Sequence, residues 1–112
     1  MQEFVRPFEV QSHLTDQTYR CLFSHLWNAI STRHSDTVDC KFLVNGRGVI
    51  VGLAHPAFVE FRRRAGRNLT DREASLLAAE YLRERLAEED EHELYDVPAA
   101  EVLGLLEKLG IR

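Results

Sequence analysis

The chain has few of the residues that mark specialised classes of protein. Its 112 residues include two cysteines, three prolines and one tryptophan, and no C-x-x-C pair. Apolar runs are only a few residues long, far short of the ~20 that a membrane-spanning helix needs. Hydrophobic residues (45%) and charged residues (29%) are near globular averages, which excludes disordered and fibrous classes. We therefore expect one compact domain over residues 1–112, with an ordinary core and no membrane segment.

The N-terminal sequence, MQEFVRPFEV, lacks the basic start and apolar core of a secretory signal. It also lacks the Arg- and Ser-rich, acid-poor pattern of a transit peptide. Without such a signal, Cys21 and Cys40 are expected to be reduced thiols, because the cytosol keeps cysteines reduced. The sequence thus predicts a cytoplasmic protein.

Motifs for cofactors and catalysis are also missing. The chain has no Walker loop, and Gly46-x-Gly48 is too short for a dinucleotide fingerprint. Catalytic triads are defined by their geometry, so the five histidines of the sequence do not by themselves identify a triad. We predict no cofactor, and a non-catalytic protein rather than an enzyme.

The hydrophobic pattern predicts an order of elements. Residues 3–11 are typical of an edge strand, because Pro7 has no backbone N–H to donate to a neighbouring strand of the sheet. A first helix is predicted from Thr15 and Asp16, since apolar residues recur at three- and four-residue spacing. These residues are Tyr19, Leu22, Phe23, Leu26, Trp27 and Ile30.

Residues 38–54 carry the clearest local signal. Two β-prone runs flank Asn45-Gly46, and both turn residues tolerate the positive φ of a tight primed turn, which predicts a β-hairpin. The next segment, 56–65, is open to two interpretations, a helix or a third strand. Pro56 at its start and Gly66 just past its end favour the helix.

The C-terminal half is predicted to contain two further helices. Thr70 and Glu73 form a capping box at the start of a helix over 70–90. The acidic run 88–93 indicates a solvated loop, and 94–97 a short strand. A last helix follows Pro98 and ends near Gly110.

Together these elements predict an α+β fold. We expect a small antiparallel sheet that contains the β-hairpin at about 38–54, with three to four helices packed mainly on one face. An exposed edge of such a sheet would make a homodimer plausible.

Charge is unevenly distributed along the chain. The formal net charge is −4, but residues 41–72 have a balance of +5 and residues 73–107 a balance of −9. Four arginines of the basic segment could form a phosphate-binding patch, since the guanidinium fork suits phosphate. They also suit a solvated helix end, and three consecutive arginines fan out around a helix. The four are Arg62, Arg63, Arg64 and Arg67.

A second candidate site surrounds His55. It closes an apolar strand and precedes a predicted helix, a junction where ligands often bind. His55 could bind such a ligand with Arg47 or Glu60 nearby, or it could simply cap the helix. The sequence also contains residue types that bind zinc, but no second pair of closely spaced ligands completes a four-ligand site. We therefore predict no bound metal. The members of such a site would be Cys21, His25, His34, Asp39 and Cys40.

Three functions remain as hypotheses. The first is a non-catalytic protein-interaction or regulatory module that acts as a homodimer, supported by the charge polarity and the missing catalytic motifs. The second is a nucleic-acid-binding module that uses the arginines of 62–67, which the acidic overall charge disfavours. The third is a small ligand-binding protein or enzyme with a pocket near His55.

Overall fold

A computed structural model describes residues 4–112, which form five strands and four helices. Residues 1–3, and with them the start of the predicted strand 3–11, lie outside this range. The elements are β1 Phe8–Gln11, β2 Thr18–Asn28, α1 Ile30–Arg33, β3 Thr37–Val44, β4 Arg47–Ala54, α2 His55–Ala65, α3 Asp71–Ala87, β5 Leu94–Val97 and α4 Ala99–Leu109.

The strands form one sheet in the order β1-β2-β3-β4-β5. The first four strands pair antiparallel, each with the next along the chain, whereas β5 pairs parallel with β4. The α+β class is confirmed, but the sheet is mixed and larger than the small antiparallel sheet that the sequence predicted. The parallel pair arises because α2 and α3 carry the chain back over the sheet before β5 begins.

The predicted first helix is wrong. Residues 18–28 form β2, the longest strand, and only the four residues of α1 are helical in this region. Tyr19, Cys21 and Phe23 alternate toward the core, and an irregularity between Phe23 and His25 then shifts the register. At such a bulge, core-facing side chains are more than two residues apart along the strand. Their spacing then resembles that of one face of a helix.

The β-hairpin is confirmed. Val44 pairs with Arg47, and the two turn residues between them have positive φ angles, 50° at Asn45 and 83° at Gly46. Asn45 also accepts a hydrogen bond from the backbone N–H of Arg20, which ties the turn to β2. Positive φ at both positions is the requirement of a type I′ turn, and asparagine followed by glycine meets it at low cost.

The two interpretations of 56–65 are resolved in favour of the helix. In α2, Pro56 lies in the first turn and Gly66 follows the last residue with a φ of 73°. The last helix, α4, ends in the same way, with Gly110 at a φ of 68°. The backbone N–H of Ile111 donates to Leu106 at 3.0 Å, so the helix closes as a Schellman motif.

The predicted capping box at the start of α3 is also confirmed. The Thr70 hydroxyl accepts from the N–H of Glu73, and the Glu73 carboxylate accepts from the N–H of Thr70. Arg67 adds a bidentate ion pair to the same carboxylate, with both distances 2.8 Å. The hydrogen bond from Arg67 is the main reason that the pKa of Glu73 is lowered to about 2.

This lowered pKa makes stability depend on pH. The charged form of Glu73 is favoured in the folded state, so its contribution is present above about pH 4.5 and is lost as the pH falls toward about 2. We expect Glu73→Gln to unfold at a lower urea concentration than the wild type at neutral pH, and this difference to vanish across that window. Glutamine preserves the capping hydrogen bond, so the variant isolates the charge. Glu107→Gln, at an exposed site, is the control and should track the wild type at every pH.

One face of the sheet packs against the helices. Its alternating side chains join those of the helices in a single core cluster, which includes Phe42 at its centre. The strand members are Val10, Tyr19, Cys21, Cys40, Phe42, Val44, Val49, Val51, Leu53, Tyr95 and Val97. The opposite face, called here the outer face, carries the intervening residues of each strand. Within residues 4–112, none of the four helices is long and apolar enough to cross a membrane.

Candidate functional site

An ion cluster occupies one end of the outer face. The guanidinium of Arg33 donates to both carboxylate oxygens of Asp39 at 2.7 and 2.8 Å, and to Asp96 at 2.9 Å. Asp39 is completely buried, and Thr37 also donates to it at 2.8 Å. The Asp39 hydrogen bond is the largest cause that raises the pKa of Arg33. The cluster therefore holds α1 down and links β3 to β5 across β4.

Gly52 makes this cluster possible. It lies on β4 between Asp39 and Asp96 in the register of the sheet. A Cβ atom at this position would lie 2.5 Å from Nη2 of Arg33 and 2.8 Å from an oxygen of Asp39. Any side chain here would therefore displace the guanidinium, so the glycine is required by close approach rather than by its φ angle.

The other end of the outer face is apolar. Four aliphatic residues, here called the outer patch, lie on four neighbouring strands, where Leu22 pairs with Leu43 and Ile50 pairs with Leu94. None of them belongs to the core cluster, and Leu22 and Leu94 are 47% and 43% exposed. Exposed apolar side chains grouped on one face of a sheet are typical of an interaction site.

One charged side chain, that of Lys41, lies within the outer patch. Lys41 lies between His25 and Ile50 in the register, and it makes no ion pair within residues 4–112. Asp96, two residues after the exposed Leu94 on β5, is already paired with Arg33. A shallow hollow of about 670 Å³ adjoins Leu22 and Leu43 and extends to Arg20. The outer patch thus consists of two apolar pairs, Leu22–Leu43 and Ile50–Leu94, with the side chain of Lys41 between them.

The edges of the sheet are less suited than the outer face to binding a second chain. Both edge strands, β1 and β5, are only four residues long. Pro7 precedes one of them and Pro98 follows the other. Short edges next to prolines limit strand pairing with a second chain. The expected exposed edge is therefore a smaller surface than the outer face.

The predicted arginine cluster is largely engaged in ion pairs. Arg63 and Arg64 both contact the carboxylate of Glu60 at 2.6 Å. Arg67 pairs with Glu73 and lies 5.0 Å from the ring centre of Phe61. Arg62 has no ion pair in the described part of the chain. These carboxylates reduce the positive charge that the four arginines present to a phosphate.

Arg47 and His55 are not brought together. Arg47 begins the eight-residue strand β4 and His55 directly follows its last residue, about 25 Å away at the usual rise per residue. Arg47 lines a separate pocket of about 290 Å³ together with Glu91 and Glu93. Glu60, the other predicted neighbour of His55, is held by Arg63 and Arg64.

His55 lines a pocket of its own. Its ring stacks at 8° on Phe58 with the centroids 6.2 Å apart, and Nδ1 lies 3.7 Å from a carboxylate oxygen of Asp36. The imidazole is partly exposed, so it is not a buried ring satisfied by backbone atoms. The surrounding pocket has a volume of about 330 Å³ and includes Trp27 and Asp71.

The residues considered for zinc are distributed over different surfaces. Cys21 and His25 share a strand rather than a helical turn, and Cys21 is buried in the core whereas His25 is exposed. Burial raises the pKa of Cys21 to about 11 and that of Cys40 to about 12. Both cysteines are free thiols. Within residues 4–112, no group of three His, Cys, Asp or Glu residues is placed to hold a metal ion.

Comparison with protein-family models, with curated proteins and with solved structures finds no match for this chain.

Proposed function

We propose that the chain is a non-catalytic protein-interaction or regulatory module that acts in the cytoplasm as a homodimer, formed through the outer patch. The observation that supports this is a group of apolar side chains on four strands, on the face opposite α2, α3 and α4, with Leu22 and Leu94 nearly half exposed. Burying such side chains contributes roughly 25 cal/mol for each Å² removed from water.

The register of the sheet defines how a second copy of the chain would dock on the outer patch. Two sheets that pack face to face keep their strands roughly aligned. A two-fold axis along β4 would place Ile50 against its equivalent and lay β3 of one copy over β5 of the other. Lys41 of one copy would then lie over Leu94 of the other, since both residues pair with Ile50 in the register of the sheet. The two-fold symmetry would produce this contact twice.

Substitution of Leu94 by lysine tests the proposal. The new ammonium group would face Lys41 of the second copy, and like charges across an interface are costly. We expect Leu94→Lys to raise the dimer dissociation constant at least tenfold, or about 1.4 kcal/mol. Sedimentation velocity over a wide range of protein concentration measures this. Leu94 is already exposed, so we expect the fold to tolerate the change.

Val59→Lys is the matched control. Val59 is 57% exposed on α2, which lies on the opposite side of the sheet, so its substitution should leave association unchanged. A wild-type chain that is monomeric at every concentration would contradict the homodimer. A dimer equally unaffected by Leu94→Lys and Val59→Lys would contradict the outer patch as its interface.

Nucleic-acid binding is the alternative, and it ranks lower. Of the four arginines in 62–67, three are paired with Glu60 or Glu73. If they nevertheless bind phosphates, affinity for mixed DNA or RNA must fall steeply with salt, and the triple substitution Arg62/Arg63/Arg64→Ala must weaken it. Fluorescence anisotropy at low salt distinguishes this outcome from the homodimer, which requires no nucleic acid.

A further inference from the structure

A pocket lies between α2 and α4, on the helix-covered side of the sheet. The C-terminal halves of both helices and the residues that follow α4 line it. Its volume of about 330 Å³ is at the small end of pockets that hold small molecules. The outer patch is on the opposite face, so occupancy of this pocket does not depend on the proposed homodimer.

Most of the side chains that line the pocket are apolar. Phe61 of α2 and Leu106 of α4 are only 5% and 3% exposed, and the partly buried Leu103 and Ile111 lie beside them. Ile111 is held in place because its N–H donates to the carbonyl of Leu106 at 3.0 Å. Such a lining favours an aliphatic group, which is removed from water when it enters.

One arginine of the pocket retains unused hydrogen-bond donors. Arg64 donates to Glu60 through Nε alone, at 2.6 Å, and neither of its Nη groups has a hydrogen-bond partner within residues 4–112. Arg63 donates to the same carboxylate through Nε and Nη2. One carboxylate therefore serves two guanidinium groups, which leaves one positive charge in excess. The two Nη groups of an arginine can hold a carboxylate through two parallel hydrogen bonds.

The other charged side chains that line the pocket are those of Glu107 and Arg112. Their charges are opposite, so together they do not change the sign set by Arg64. Arg112 is positioned by Arg67, which donates to its backbone carbonyl at 2.6 Å. The lining as a whole therefore favours a ligand with a negative charge.

The C-terminal ends of α2 and α4 border the pocket, and free carbonyl groups at helix ends favour cations. Here the carbonyl of Arg62 accepts from the N–H of Gly66 at 2.9 Å, and that of Leu106 accepts from Ile111. Capping of this kind satisfies part of the free carbonyl groups. It reduces their attraction for a cation, which leaves Arg64 to select the charge of the ligand.

We propose that this pocket binds a medium-chain aliphatic carboxylate, with its chain along Phe61, Leu103 and Leu106 and its carboxylate on the two Nη groups of Arg64. The chain contributes because it leaves water, and the carboxylate contributes charge-assisted hydrogen bonds. The two features together define the ligand class, and neither acetate nor an alkylamine has both.

NMR chemical shifts of the backbone amides provide the measurement, because they locate the ligand on the chain. Three probes separate the two features: octanoate has chain and carboxylate, acetate has the carboxylate alone, and octylamine has the chain with a positive charge. We expect octanoate to shift the signals of residues 61–66 and 103–112 saturably, and the other two to bind at least about tenfold more weakly. Equal affinities of octanoate and octylamine, or no saturable shift at these residues, would overturn the proposal.

A pair of matched variants tests the role of Arg64. Arg64→Gln should weaken octanoate binding about fivefold, the scale of a partly exposed ion pair. This side chain is 59% exposed, so we expect the fold to tolerate the change, and circular dichroism checks that α2 is intact. Arg62→Gln removes the same charge from the same helix at a residue that does not line the pocket, and it should leave binding unchanged. Equal affinities of the two variants for octanoate would show that Arg64 does not hold the carboxylate.

Discussion

Replacement of Arg33 by methionine is expected to destabilise the fold by about 3–5 kcal/mol, because it leaves the buried carboxylate of Asp39 without its counter-ion. Asp39 would retain the hydrogen bond from Thr37 but lose both bonds from the guanidinium. Domains of this size have total stabilities of about 5–15 kcal/mol, so the loss is a large fraction. Urea denaturation followed by circular dichroism at neutral pH measures it.

Two further variants separate the buried charge from other effects of losing Arg33. Adding Asp39→Asn to the Arg33→Met chain removes the unpaired charge and should recover part of the lost stability. Asp96→Asn alone should cost less than about 1 kcal/mol, because this carboxylate is 62% exposed. If Arg33→Met costs no more than Asp96→Asn, the pair with Asp39 is not what secures α1 to the sheet.

The sequence does not reveal this cluster, because its members are distant along the chain. Arg33 and Asp39 lie on either side of a loop, and Asp96 is contributed by the parallel strand β5. On alternation alone, Asp39 is an outward-facing polar residue of a β-hairpin. The one available signal is Gly52 inside the apolar run of β4, since an isolated glycine in a strand often marks close approach of another group.

The predicted first helix failed for a physical reason that can be read from particular residues. Tyr19 and Phe23 are both core-facing in β2, four residues apart. The register shift after Phe23 places the next inward residue, Leu26, three positions later. Spacings of four and three are those of a helical face, so a bulged strand and an amphipathic helix have the same pattern here. The preferences of Tyr, Cys and Phe for strands are too weak to decide between them.

The elements that were predicted correctly have local determinants. The turn at Asn45 and Gly46, the ends of α2 at Pro56 and Gly66, and the capping box of α3 all depend on residues within a few positions of one another. The backbone conformations that these residues accept are set by their own covalent structure. Tertiary context does not need to be known for such predictions.

The outer patch could not be predicted, because the sequence does not show which strands become neighbours. Residues 49–54 are nearly all apolar, which indicates a strand covered on both faces. In the structure α2, α3 and α4 cover only one face of β4, and Ile50 lies on the other, beside Leu94. The pairing of β4 with β5 follows a connection of 39 residues, from 55 to 93, and creates half of the outer patch. The outer patch therefore becomes visible only when the order of the strands in the sheet is known.

Removal of the Phe42 ring is expected to have the other large effect, about 3–5 kcal/mol, because it opens a cavity in the middle of the core. Phe42 is fully buried on the central strand β3 and makes edge-to-face contacts with Phe8 at 6.2 Å and Phe23 at 5.6 Å between centroids. These contacts join β1, β2 and β3. Phe42→Ala should therefore lower the urea midpoint strongly.

Phe4→Ala is the matched control for this cavity. Phe4 stacks on Phe23 at 5.0 Å but is 38% exposed, so water can fill the space that its ring leaves. Its loss should cost about 1 kcal/mol, the scale of one partly exposed aromatic contact. Phe42→Leu, which conserves most of the volume, should lie between the two alanine variants. Similar costs for Phe42→Ala and Phe4→Ala would mean that the stability of the sheet does not depend on close packing around Phe42.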